Sequence, residues 1–236
     1  MPFGQIKGEY VVVEEKLDGA NAGISFDADG TLRLQSRGHY LTGGPRERHF
    51  GPMKAWAATI AGPLYDAIGD RYIVYGEWLY AKHTLFYDAL PHWFGEFDVY
   101  DRIEDVYLST AARRVLLAGT PLVSVPVLHA GPATSLSALT AHVGPSRCRT
   151  PQWRDNLAAA AEAAGLDPLR VAAETDRDEA MEGLYLKVER DGTVVGRLKW
   201  VRPTFLTAIL DAGGHWLDRP IVVNGLADAA VMYGTV

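Results

Sequence analysis

Lys16 sits where a run of strand-forming residues, Tyr10 to Val13, gives way to a turn, with Glu14 and Glu15 before it and Asp18-Gly19 behind it. Core positions disfavour two acids and a lysine together, and a surface lysine has no need of a glycine turn. The pattern suits an amine held at the mouth of a sheet and made nucleophilic by its surroundings. Such an amine needs an electrophile, and residues further along the chain could bind one. Arg197 and Lys199 share one face of a strand by strict alternation. Neighbouring cations on a sheet repel unless an anion lies over them, and phosphate is the obvious anion. Glu77 closes an apolar strand behind Gly76, where an acid is either a surface terminus or a ligand-binding group. Glu182 and Lys187 lie on opposite faces of any regular strand that contains both. They reach one site only if Glu182 precedes the strand, which Gly183 permits.

The elements that must position these residues are short strands. Residues 9 to 15 read as a strand, and 22 to 27 with 31 to 37 as a hairpin turned at Asp29-Gly30. Residues 71 to 79 and 93 to 100 are strand-like, separated by an aromatic-rich loop over 80 to 92. Residues 183 to 190 and 193 to 201 form a second hairpin at Asp191-Gly192. A proline-flanked strand is expected over 121 to 128 and a loop over 40 to 50. Helices are expected from Pro52, interrupted or ended near Gly62-Pro63, and from Ser109 or Thr110 to Ala118. Another runs from Thr150-Pro151, its apolar stripe being Trp153, Leu157, Ala160 and Ala164, and a short one starts at Asp167-Pro168. Near the end, His215-Trp216-Leu217 reads as a packing anchor. The sum is an α+β chain dominated by antiparallel hairpins.

With 236 residues the chain can bury a sizeable core, and 48% hydrophobic with 22% charged residues is the balance of a soluble globular protein. A single cysteine, Cys148, excludes an internal disulfide framework and points to a reducing, cytoplasmic setting. Met1 to Gly8 lack the apolar core of a signal peptide, and no run is long enough for a membrane span. The net charge of −6 argues against coating nucleic acid over the whole surface. Residues 33 to 54 are locally basic (Arg33, Arg37, His39, Arg46, Arg48, His49 and Lys54 against Glu47), either a groove or a solvated loop.

Taken in order, the lysine, arginine, glutamate, Phe-Asp, Glu-Gly-x-x-x-Lys and final lysine resemble the covalent nucleotidyltransferases. That superfamily includes ATP-dependent DNA ligases, RNA ligases and mRNA capping enzymes. Lys16-Leu17-Asp18-Gly19 is similar to its nucleotidyl-acceptor motif, Gly76-Glu77 to the third motif, and Phe94-Gly95-Glu96-Phe97-Asp98 to the aromatic motif after it. Glu182-Gly183-Leu184-Tyr185-Leu186-Lys187 is similar to the fourth and Arg197-Leu198-Lys199 to the fifth. The resemblance runs from about residue 9 to 205. Asn21 and the Ser36-Arg37 pair favour RNA ligases of the phage RNA ligase 2 type.

The resemblance implies a nucleotidyltransferase (ATP-grasp-like) domain over 1–205, built from antiparallel sheets with peripheral helices. Residues 206–236 would be a short extension packed on it, too short for an OB domain. It implies that Lys16 attacks the α-phosphorus of ATP to give lysyl-AMP, with Lys187 and Lys199 neutralising the phosphate and lowering the amine's pKa. Arg197 and Asn21 would add to the nucleotide site. Glu15 would meet the adenine edge, Phe97 would stack on its face, and Glu77 and Arg37 would hold the ribose. Asp18 and Glu182 would place Mg²⁺ or Mn²⁺. AMP would pass to an RNA 5′-phosphate, and an RNA 3′-hydroxyl would displace it, in RNA repair. A kinase or phosphatase that prepares RNA ends is an expected partner. Arg197 stands where close relatives carry lysine, and Asp18 is the residue of DNA ligases, so a ligase for DNA or hybrid nicks is the nearest alternative. A non-catalytic subunit that binds nucleotide or RNA ends is the other.

Overall fold

The computed structural model describes residues 3–211 and 220–229. Its strands are β1 (Tyr10–Lys16), β2 (Ala20–Phe26), β3 (Leu32–Ser36), β4 (His39–Tyr40), β5 (Tyr72–Trp78) and β6 (Phe94–Asp101). β7 (Val106–Leu108), β8 (Val123–Ser124), β9 (Val127–Pro132), β10 (Gly183–Arg190) and β11 (Thr193–Val201) follow. They lie in the order β4-β3-β2-β5-β6-β7-β11-β10-β1-β9, with β8 beside β6. Every ladder is antiparallel except β6·β8. Helices α1 (Gly51–Thr59), α2 (Ala61–Ile68), α3 (Thr110–Leu116), α4 (Leu136–Thr140), α5 (Trp153–Ala163), α6 (Pro168–Ala173) and α7 (Pro203–Asp211) surround them. This is the α+β chain of antiparallel hairpins expected.

The sheet works as two halves. β7 is three residues long and meets Tyr100 and Asp101 on one side and Thr193 and Val194 on the other. Each half buries apolar side chains in its own core. Ile24, Phe26, Val74, Trp78 and Phe94 pack with Met53 and Trp56 of α1 and Leu64 of α2. Val11 and Val13 pack with Leu184, Leu186 and Val188, under Ile6, Leu139 and Met181. Burial of that area is the main stabilising term for each half. Between the halves an apolar cluster that includes Leu17, Leu79, Val125 and Phe205 is joined by buried ion pairs. Arg113 of α3 is fully buried and binds Glu14 of β1 and Glu96 of β6, while Lys187 of β10 reaches Glu14 and, at 3.2 Å, Asp98 of β6.

Several expectations shift in detail. Pro63 lies in the first turn of α2, where its missing N–H costs nothing, so the break falls at Ile60 instead. Trp153, Leu157 and Ala161 are the buried face of α5, four residues apart, while Ala164 is exposed past its end. The single strand expected over 121–128 is two short ones, β8 and β9. Residues 40–50 hold β4's end and a 3₁₀ turn, Pro45–Phe50. α7 runs across position 205, and His215-Trp216-Leu217 lies outside the described residues. Residues 220–229 return to the loop after β5, bridging Ala81 to Val223 and Leu90 to Leu226. The buried Asn224 side chain accepts from the Tyr87 amide (2.9 Å) and donates to the Leu79 carbonyl (2.7 Å).

Candidate active site

Lys16 ends β1 at the mouth of a cavity of about 500 Å³ between the half-sheets. Glu15, Lys16, Asn21, Arg37, Glu77, Phe97 and Lys199 line it, with Leu17, Val125 and Tyr185. The register explains the convergence. Asn21 of β2 stands opposite Glu77 of β5, and Lys199 of β11 opposite Tyr185 of β10, which stands opposite Glu14 of β1. Arg37 follows β3 and is exposed at the rim.

Phe97 arrives by a different device. Tyr75 pairs with Asp98 and Gly76 with Glu96, so Phe97 is an extra residue on β6, a β-bulge. The bulge turns the ring into the cavity, where it meets Tyr185 edge to face at 5.5 Å. It also withdraws the Phe97 carbonyl from the ladder, and the Lys187 ammonium donates to that carbonyl.

Lys187 therefore stands elsewhere than expected. Its ammonium is fully buried among Glu14, Asp98 and the Phe97 carbonyl, and it does not line the cavity. Two buried carboxylates hold it more firmly than a transient phosphate could, so it holds the floor together. Arg197 is displaced too. Its guanidinium lies 3.7 Å over the Tyr107 ring centroid and 3.4 Å from Asp98, facing a second cavity of about 1050 Å³. That space adjoins the first and shares Asn21, Arg37, Phe97, Tyr185 and Lys199 with it.

Acids crowd Lys16. Glu182 lies just before β10, as the two-residue argument requires, and its Oε1 is ion-paired to Lys16 Nζ. Burial and the Asp18 carboxylate push Glu182 up to about 8 against the pull of Lys16. Burial pushes Glu77 up to about 7, although its Oε1 accepts from the Gly19 amide at 3.2 Å. Glu15 is also raised by burial, with its oxygens accepting from Ser146 Oγ and the Arg147 amide. Lys199 is lowered by desolvation and then by Lys16.

One carboxylate oxygen of Asp18 is committed to architecture. Its Oδ2 accepts from the Thr84 and Leu85 amides, each at 2.7 Å, and its own amide donates to the Tyr87 hydroxyl at 2.8 Å. His83 is buried with Nδ1 3.9 Å from Asp18 Oδ1. Among the described residues no three His, Cys, Asp or Glu side chains converge as a metal cage. Glu182 Oε2, however, is buried with no hydrogen-bond partner, an oxygen suited to a cation. With Asp18 it fits an ion that takes most of its ligands from water and phosphate, as Mg²⁺ does.

In the basic segment 33–54, Arg33 pairs with Asp27 and Lys54 with Glu47, and Arg37 lines the cavity. Lys82 and Arg102 donate to main-chain carbonyls. Trp78, Phe86 and Tyr87 are buried as packing. Two residues given no role in the sequence matter here. Tyr185 alternates with Lys187 and so shares its face, a signal that was present. Arg113 has no such signal, because its partners are Glu14 and Glu96, distant in the chain.

A family model described as RNA ligase matches residues 9–201. Solved structures share the fold. An RNA ligase of Naegleria gruberi, solved as a mutant with ATP and Mn, has a TM-score of 0.58 at 16% identity, over 89% of this chain and 54% of that one. The same ligase with PPi gives 0.58 at 18% identity over 89% and 54%. An archaeal ATP-dependent RNA ligase gives 0.52 at 16% identity over 86% and 45%. The chain thus spans about half the length of these proteins. A search of curated proteins returns no match. Among the described residues no helix is long and apolar enough to cross a membrane.

Proposed function

Because the chain belongs to the RNA ligase family, we propose that it is an ATP-dependent RNA ligase working through a lysyl-AMP intermediate on a nucleotidyltransferase fold. The observation that carries this is Lys16 at the mouth of a cavity lined by Asn21, Arg37, Glu77, Phe97 and Lys199. A nucleoside with its α-phosphate suits this lining of an aromatic ring, apolar walls, acids and cations. Adenine lies against Phe97, with Val125 and Leu17 as apolar walls. Glu15, although already bonded, has lone pairs left for the adenine edge. Glu77 and Arg37 take the ribose.

Lys16 Nζ forms a bond to the α-phosphorus as the bond to the pyrophosphate oxygen breaks. The proton leaving Nζ goes to Glu182 Oε1, the carboxylate oxygen paired with it. Lys199 and Arg37 offset charge on the α-phosphoryl oxygens. A divalent ion held through Glu182 and Asp18 would add Lewis-acid stabilisation of the same oxygens. An oxygen of an RNA 5′-phosphate then displaces Lys16 from the phosphorus. Finally an RNA 3′-hydroxyl attacks the activated 5′-phosphate and AMP leaves. Residues 1–205 are the adenylyltransferase module in this reading, with 206–236 appended.

Incubation with α-labelled ATP and Mg²⁺ or Mn²⁺, then denaturation, should leave label on the protein and none on Lys16→Ala. Absence of label with either metal would refute the reading. Label from GTP instead would indicate a capping enzyme, and joining of DNA ends alone a DNA ligase.

A further inference from the structure

The second cavity holds more aromatic surface than a phosphate site needs. Tyr75, Tyr107, Phe97 and Tyr185 contribute rings, while Arg37, Arg197 and Lys199 contribute charge. Its one carboxylate, Asp98, is already bound by Lys187, by the Tyr185 hydroxyl and by Arg197. The space is thus cationic in a chain whose net charge is −6. A compact anion would use the cations and leave the rings unused, whereas nucleobases use both.

The rings are laid out as a bed. Tyr75 of β5 stands opposite Gly23 of β2, and a Cβ at Gly23 would come within 3.2 Å of the Tyr75 ring. The missing side chain leaves room there for the Gln35 chain and for the edge of the Tyr75 ring, which is half-buried at the cavity wall. Tyr107 follows, 6.3 Å away and tilted by 40°, too close and too skewed to admit a base between the two. Arg197 lies over Tyr107, its guanidinium carbon 3.7 Å from the ring centroid, and adds charge to the surface. A planar guanidinium can stack on a base and meet a phosphate at the same time, whereas an ammonium can only meet the phosphate.

We propose that this cavity binds the first nucleotides of the RNA strand that carries the 5′-phosphate, their bases stacked on Tyr75 and on the Arg197–Tyr107 pair. The inference rests on the ligase reading and adds to it where the donor strand lies. Lys199 and Arg37, common to both cavities, set the 5′-phosphate beside the nucleotide on Lys16, and the strand leaves across β5 and β7.

The test is binding of a short 5′-phosphorylated single-stranded RNA, with label transferred from ATP to Lys16 as a separate readout. Replacing the first two bases by abasic sites should weaken binding to the natural protein by roughly thirtyfold or more, the loss for two stacked bases. Tyr75→Ala/Tyr107→Ala should lose a similar factor on normal RNA and be nearly indifferent to the abasic change. Arg197→Lys, with charge kept, should lose several-fold. An abasic RNA that binds the natural protein as tightly as normal RNA overturns the proposal. So does an abasic penalty that persists in full in the double variant. Should the double variant fail to fold, the abasic RNA on the natural protein and the Arg197→Lys variant decide the matter alone. Failure of Lys16 labelling in the natural protein would instead remove the ligase reading itself.

Discussion

At the scale of single residues, two lysines that look equivalent in sequence have been given different work. Lys199 stands at the cavity, whereas Lys187 neutralises Glu14 and Asp98 beneath it. Lys199→Met should therefore lower the rate of Lys16 labelling by roughly 10²-fold or more with little change in urea midpoint. Lys187→Met should cost about 3–5 kcal/mol of stability, because it strands buried carboxylates. Equal stability in the two variants would show that Lys187 is not the floor's counter-ion. Glu77 gives a pH signature. Its folded pKa of about 7 lies above its ordinary 4.5, so the folded state holds a proton that the unfolded chain has released between those values. Its contribution is fully present below about 4.5 and is lost as pH rises through about 7. The thermal midpoint of the nucleotide-free protein should thus fall, relative to Glu77→Gln, across that window. A constant difference between the two would contradict the buried carboxyl. The acids and cations of the site were legible in sequence because strand alternation and glycine turns limit where such residues are tolerated. The destination of Lys187 was not, since alternation gives the face of a strand but not what lies opposite it.

At the scale of elements, hairpins were the most legible part. Asp29-Gly30 and Asp191-Gly192 turn β2 into β3 and β10 into β11 where the sequence places them. What sequence hid was register. The extra residue that makes Phe97 a bulge depends on how β6 pairs with β5, and no pattern within β6 alone marks it. The short, interrupted pair β8 and β9 was obscured for a related reason, because both are secured by other strands rather than by their own periodicity. Gly183 illustrates an element-level constraint that sequence hinted at. A Cβ there would lie 2.0 Å from the Trp200 carbonyl oxygen, so Gly183→Ala must push β10 from β11. Overpacking of this kind costs about 1–3 kcal/mol, and it should also move Glu182 from Lys16. The expected result is a lower urea midpoint with slower labelling; an unchanged midpoint would mean that the strands separate freely at this end.

At the scale of the whole molecule, distant segments meet at the turn behind Lys16. Asn224 holds Tyr87, whose hydroxyl accepts from the Asp18 amide, so residues 220–229 brace the turn behind Lys16. Asn224→Ala should cost about 1–3 kcal/mol and slow labelling in parallel, whereas loss of stability at full labelling rate would confine Asn224 to packing. This link joins parts of the chain too far apart for any local pattern to announce. The floor of the site is similarly global, joining β1, β6, β10 and α3 through Arg113, Lys187 and three carboxylates shut away from water. Their seclusion has a consequence in ionic strength. Mobile salt does not reach such pairs, whereas it competes directly for the cations of the open groove. Raising KCl should therefore leave the urea midpoint nearly unchanged while RNA affinity falls steeply. A protein whose fold loosened along with its grip on RNA would have its floor open to solvent.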